Sequence, residues 1–206
     1  MPRTARIVDP SGGTYHVTCR GNNRKCVFKD RQDFLVYLSL LHEVKMRFGF
    51  RLLHYVLMTN HVHLVIQPNS GLDLQHIMKA LNQQYSLHWK LRYGHTGHLW
   101  QSRYASPMIK NDAHLLVAGI YVELNPVRAG MTASADTYEW SSHLRYAYGH
   151  PNPIVDVHGL YLESGLTEGD RQAGYRGLTR MWQAMPRLKK GTVPGLARQG
   201  TVPSIS

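Results

Sequence analysis

The sequence predicts an α+β fold, a ferredoxin-like sandwich whose mainly antiparallel central sheet is covered by helices. Segments of strand alternation and of helical spacing follow one another as β-α-β-β-α-β-α. The middle two strands are separated only by Thr59-Asn60, so they form a hairpin and make part of the sheet antiparallel. At 206 residues the chain is long enough for one domain with a full core and an appendage.

The first strand is Thr14 to Arg20, closed by the turn residues Gly21-Asn22-Asn23. Phe34, Leu35, Leu38, Leu41, Val44 and Phe48 recur at helical spacing and predict a helix over 31–48. Phe50 to Met58 reads as a buried strand, and His61 to Gln67 as its hairpin partner, with no glycine in the turn to reinforce the assignment. A second helix is outlined by apolar residues from Leu74 to Leu91 and ends at Tyr93-Gly94. Tyr104 to Lys110 is expected to add a strand. A third helix starts at the capping residues Asn111-Asp112, runs to about Leu124 and is stopped by Pro126. The domain is drawn over residues 1–150. Residues 151–206 form a C-terminal extension, because periodicity weakens there, and its Pro186 to Ser206 end, basic and rich in glycine and proline, is expected to be mobile.

The net charge is +11, from 24 Lys and Arg against 13 Asp and Glu, which attracts polyanions through phosphate neutralisation and counterion release. Nucleic acid is the leading partner, with a merely soluble basic surface as the alternative. A membrane surface would favour a basic amphipathic helix or a dense polybasic run, and neither is evident. Cys19 and Cys26 are too few for a disulfide framework, and no apolar run approaches the roughly 18 residues of a membrane span. A cytoplasmic protein with reduced thiols is expected.

The chemistry begins at His61-Val62-His63. Residues two apart on a strand share a face, so both imidazoles can grip one divalent cation while Val62, Leu64 and Ile66 bury on the other side. A strand whose histidines only satisfy hydrogen bonds explains the same triplet, and other residues must decide. Tyr121 and Asn125 lie four apart on the third helix and put a phenol beside an amide oxygen. The chain has 12 tyrosines, and asparagine before proline is also an ordinary terminator, so this pair alone selects nothing. Glu123 is the nearest acid. It falls about 200° from Tyr121 at roughly 100° per residue and is read as a structural salt-bridge partner facing elsewhere.

Taken together, His61-Val62-His63-Leu64, the segment Thr96 to Arg103, the segment Tyr121 to Gly130 and Trp140-Ser141-Ser142 resemble the HUH single-tyrosine transposases, most closely the REP-associated tyrosine transposases. U stands for a hydrophobic residue. The resemblance spans about residues 10 to 148. Where that family commonly has proline before the first histidine, this chain has Thr59, which removes no chemical group. The resemblance implies cleavage and rejoining of single-stranded DNA at hairpin-forming repeats through a 5′-phosphotyrosine, with Tyr121 as nucleophile and His61, His63 and Asn125 as ligands of Mg2+ or Mn2+. A phenol of pKa about 10 is a weak nucleophile at neutral pH, and a neighbouring dication would neutralise and orient the phosphate. DNA contacts are expected from Arg20, Asn22, Arg24 and Lys25 in the first loop, from Trp100 and Arg103, and from Arg128. For Trp100, core packing competes equally with base stacking. His16, His54, His76 and His88 have no supporting constellation and are read as structural.

Single-stranded or hairpin DNA is thus the expected partner, with either a monomer or a homodimer compatible. Three other functions remain open: a domesticated protein that binds hairpins without cutting, a metal-dependent phosphoesterase that uses water, and zinc hydrolysis, which lacks a convincing third histidine or catalytic carboxylate. A relaxase, by resemblance, has its tyrosine near the N-terminus and a third histidine, which the downstream Tyr121-Asn125 arrangement does not match.

Overall fold

A computed structural model describes residue 9 and residues 12–185. The expected mobile end, Pro186 to Ser206, lies outside the described residues. Strands β1 (Thr14–Arg20), β2 (Arg51–Met58), β3 (His61–Gln67) and β4 (Met108–Ile109) form an antiparallel sheet in the order β2-β3-β1-β4. The fold is α+β, as the sequence predicts, and β3 lies inside the sheet.

Helices α1 (Arg31–Phe48) and α2 (Asp73–Tyr93) cover one face. There Val17, Val62, Leu64 and Ile66 from the strands meet Tyr37, Leu41, Ile77, Leu81 and Tyr85 in the main core. The Asp30 carboxylate accepts from the backbone N–H of Gln32 and Asp33 to start α1, and Gly49 at φ 67° ends it. The opposite face is covered by α3 (Asp112–Glu123), whose Ala118 and Val122 pack with Val56, Met58 and Val65. Asn111 caps α3 by accepting from His114 N–H, as expected.

Strand β2 carries a bulge between Leu52 and His54. The extra residue puts Leu53 and His54 both on the α3 side, while Leu52 before them and Tyr55 after them enter the main core. His54 then lies directly against α3, where a Cβ on Gly119 would stand 2.5–2.7 Å from its ring atoms. That contact is why a glycine sits mid-helix despite its entropic cost.

Two expectations are corrected. Tyr104 to Lys110 is not a continuous strand. Ala105 bridges Thr18, and the ladder resumes only at Met108–Ile109, because Pro107 between them has no N–H to donate and offers only its carbonyl, to His16 N–H. The third helix ends where expected, at Glu123 with Leu124 as its cap, but Pro126 does not end the helical chain. Leu124 keeps helical angles and a further turn, α4 (Asn125–Arg128), follows with Pro126 in its first turn, where a missing N–H is tolerated.

Beyond this point the chain returns to the sheet. Ser141 bridges Val56, Leu57 N–H donates to the Trp140 carbonyl and Ser142 N–H to the Tyr55 carbonyl, so the outer edge of β2 is covered. Helices α5 (His143–Tyr148), α6 (Gly159–Glu163) and α7 (Glu168–Ala184) follow, the last opened by a Thr167–Asp170 capping box. Tyr146, Tyr161 and Tyr175 from these helices are buried in the main core.

Candidate functional site

The face of the sheet covered by α3 carries the polar residues of β1 and β3. In the antiparallel register Thr18 stands opposite His63 and Arg20 opposite His61. His61 and His63 share this face as the alternation predicts, with ring centroids 4.9 Å apart. His63 is nearly buried, and its Nδ1 lies 2.9 Å from His16 Nε2 and 3.1 Å from Thr18 Oγ1. His61 Nδ1 lies 2.6 Å from Asn60 Oδ1.

Tyr121 comes to this cluster from α3. Its ring centroid is 6.2 Å from that of His16, edge to face, and the Arg128 guanidinium lies 5.1 Å over it from α4. The extra helical turn is what brings Arg128 back to Tyr121. Asn125 sits at the junction of the two helices, and its Nδ2 donates to the carbonyls of Tyr121 and Val122 at 2.9 and 3.2 Å.

Burial holds the histidines neutral. His16 is pushed down to about 4, first by burial and then by His114, and His61 to about 4 by burial and Arg20. His63 is held well below the ordinary histidine value by burial, with His16, His61 and Arg20 adding to it. A neutral His61 donates from Nδ1 to Asn60, since an amide oxygen only accepts, and keeps a lone pair on Nε2. A His63 protonated on Nδ1 donates toward His16 Nε2 and Thr18 Oγ1 and likewise keeps Nε2 open. Asn125, with its amide donating to the backbone, keeps Oδ1. These three atoms keep lone pairs that no hydrogen bond uses. Among the described residues no group of three His, Cys, Asp or Glu side chains could hold a metal.

His16, expected to have no supporting constellation, stands against His63 and Tyr121. Its signal was present in the alternation of His16, Thr18 and Arg20 with Tyr15, Val17 and Cys19, which puts a polar row on the face where His63 lies.

The basic loop also reaches this end of the sheet. Residues Asn22–Arg24 form a 3-10 turn with Asn23 and Arg24 at positive φ. The turn is tied to the β2–β3 connection, with Gly21 N–H donating to the Asn60 carbonyl and Asn60 Nδ2 to the Arg24 carbonyl. Arg20 and Arg24 are exposed beside it, and Asn22 and Lys25 half-buried. Trp100 and Arg103 lie elsewhere, lining a groove against α2. Trp100 is half-buried against the main core, with its indole N–H donating to the Asn82 carbonyl.

Glu123 faces away from the histidine pair. Its Oε1 accepts from Ser142 Oγ at 2.6 Å and pairs with His54 Nδ1 at 2.9 Å, while Oε2 accepts from Tyr175 OH at 2.8 Å and pairs with His143 Nδ1 at 3.2 Å. Burial alone would raise this carboxyl, but the hydrogen bonds from His143 and His54 outweigh it and lower its pKa to about 2. For His143, burial opposes the charge while Glu123 and Asp136 favour it, with a net rise. The buried acid is an ion-pair hub, as its position around the helix implies.

The family model of IS200-like transposases matches residues 11–125. A structure described as a REP-associated tyrosine transposase bound to a REP hairpin aligns with a TM-score of 0.62 at 19% identity, covering 78% of this chain and 93% of that one. A candidate transposase from Deinococcus radiodurans R1 aligns at 17% identity over 64% of this chain and 91% of its own, with a TM-score of 0.42, below the level at which a shared fold follows. No curated protein matches the sequence.

Proposed function

Because the chain belongs to the IS200-like transposase family, whose members cut and rejoin DNA, we propose that it acts on single-stranded DNA at hairpin-forming repeats through a tyrosine-linked 5′-phosphate. The observation that carries this reading is the convergence of Tyr121, His16 and His63 on one face of the sheet, beside His61. The hairpin bound by the structural relative supports the substrate class.

His61 and His63 through Nε2, and Asn125 through Oδ1, are the groups that would hold Mg2+ or Mn2+. Such an ion supplies charge neutralisation and orientation to a phosphate. The Tyr121 oxygen attacks the phosphorus and gives up its proton, the P–O3′ bond breaks, and the departing 3′-oxygen takes up a proton to leave as a free 3′-hydroxyl; its return attack, with the proton passing back to the phenol oxygen, restores the phosphodiester and releases Tyr121. Arg128, over the Tyr121 ring, adds positive charge where the phosphate would lie. Arg20, Asn22, Arg24 and Lys25 would hold backbone near His61.

The test is incubation with hairpin DNA carrying single-stranded flanks and Mn2+ or Mg2+, followed by denaturing electrophoresis and peptide mapping. A denaturation-resistant adduct on Tyr121 is the expected result. Cutting without an adduct favours a water-using phosphoesterase, and binding without cutting across several hairpins favours a domesticated binder.

A further inference from the structure

We propose that the groove between α2 and the segment around Trp100 to Tyr104 is a second DNA subsite, which takes an unpaired stretch of the substrate strand. It deepens the reading of the protein as a single-strand transposase and rests on it. The groove has a volume of about 770 Å³, within the roughly 300–1,000 Å³ of small-ligand sites. Lys79 and Arg103 line it, and no carboxylate does. An adjoining hollow of about 360 Å³ shares Lys79 and Gln83, adds Arg47, and again contains no acid. Such one-signed walls select a polyanion.

The uncharged wall argues for unpaired bases. Gln75, Lys79 and Gln83 recur every fourth residue and so form one row along α2. Carboxamides of this kind hydrogen-bond base edges, and the indole of Trp100 offers a stacking surface on the opposite wall. A duplex stem keeps its bases stacked inside and presents phosphates on a convex surface, whereas a splayed base enters a slot.

The groove is also joined to the histidine site. Trp100 bridges Gly21, and Gln101 N–H donates to the Arg20 carbonyl at 2.8 Å. Arg20 is in turn the partner of His61. The groove wall therefore lies two strand spacings, about 10 Å, from the first histidine. A strand leaving the groove over that edge arrives at Tyr121's side of the sheet.

The test measures binding of the full chain to a short DNA hairpin with a single-stranded thymidine tail of about ten nucleotides, and to the same hairpin without the tail. The wild type should prefer the tailed probe by about tenfold or more. Lys79→Ala/Arg103→Ala and the charge-neutral Gln75→Ala/Gln83→Ala, all at exposed positions, should each reduce that preference to near unity. A tail carrying 5-iododeoxyuridine should photo-crosslink to the peptide containing Trp100. If both double variants keep the wild-type preference, or the crosslink maps away from α2 and Trp100, the subsite is wrong while the transposase reading stands. If the groove behaves as expected but no DNA yields an adduct, the subsite stands and the transposase reading falls.

Discussion

His16 and His63 are joined across β1 and β3 by a 2.9 Å contact between Nε2 and Nδ1. That contact fixes which nitrogen of His63 remains available and which way its ring points. His16→Ala is therefore expected to weaken metal affinity and adduct formation by about 10–100-fold without abolishing either. His63→Ala should abolish the adduct. Manganese titration followed by single-turnover cleavage separates the two effects, since excess metal should recover much of the His16 variant and none of the His63 variant.

Tyr121→Phe removes only the attacking oxygen and keeps the ring beside His16 and Arg128. Adduct and strand cleavage should disappear while hairpin affinity stays within about twofold. An adduct formed by the variant would assign the nucleophile to another tyrosine.

The ion-pair hub at Glu123 makes a stability prediction. Glu123→Ala leaves His143 with only Asp136 and strips Ser142 and Tyr175 of the carboxylate that accepts from them. Unfolding in urea should show a loss of about 3–5 kcal/mol, the usual cost of breaking one side of a buried pair. Glu123→Gln, which keeps the shape and part of the bonding, should lose less.

Stability should also fall as the solution is acidified. His16 and His61 protonate at about 4 and His158 at about 3 in the folded chain, against 6.5 for the ordinary side chain. Between about pH 6.5 and 4 the unfolded chain binds protons that the folded chain refuses, so the unfolding midpoint declines across that window. His143 acts in the opposite sense, since its stabilising charge is complete below 6.5 and lost only as pH rises through its raised value. Glu123 loses its contribution only as pH falls through about 2. A urea midpoint that is flat from pH 7 to 4 would falsify the assignment of neutral buried imidazoles.

Much of this was legible in the chain because its signals are local. The α1 and β3 boundaries match the apolar periodicity, and the Asn111 cap announced α3. The histidine pair was visible because strand alternation alone puts His61 and His63 on one side. The contact of His16 with His63 was not legible because it depends on the register of β1 against β3, which no window of the sequence contains. Pro126 was misjudged for a related reason. Proline disfavours the helical region for the preceding residue, but Asn125 anchors itself to the carbonyls of Tyr121 and Val122 and holds that turn in place.

DNA affinity should fall steeply with added salt, because a net charge of +11 makes counterion release a large part of binding. Anisotropy measured between about 50 and 200 mM salt should show a loss of at least tenfold for a tailed hairpin. A flat response would remove the electrostatic contribution.

The family match ends at residue 125, two residues past Glu123. Yet three of the four side chains that satisfy this carboxylate, Ser142, His143 and Tyr175, lie beyond that point. The span that inheritance marks and the span that cooperates in folding are thus different lengths. A fragment cut at the family boundary would carry Tyr121, the histidines and Asn125 but lose Arg128, and it would leave Glu123 with His54 alone on the back of the helix that presents Tyr121. Loss of the distal helix α7 would then loosen the nucleophile's own support, so a truncation series should lose melting temperature and cleavage together.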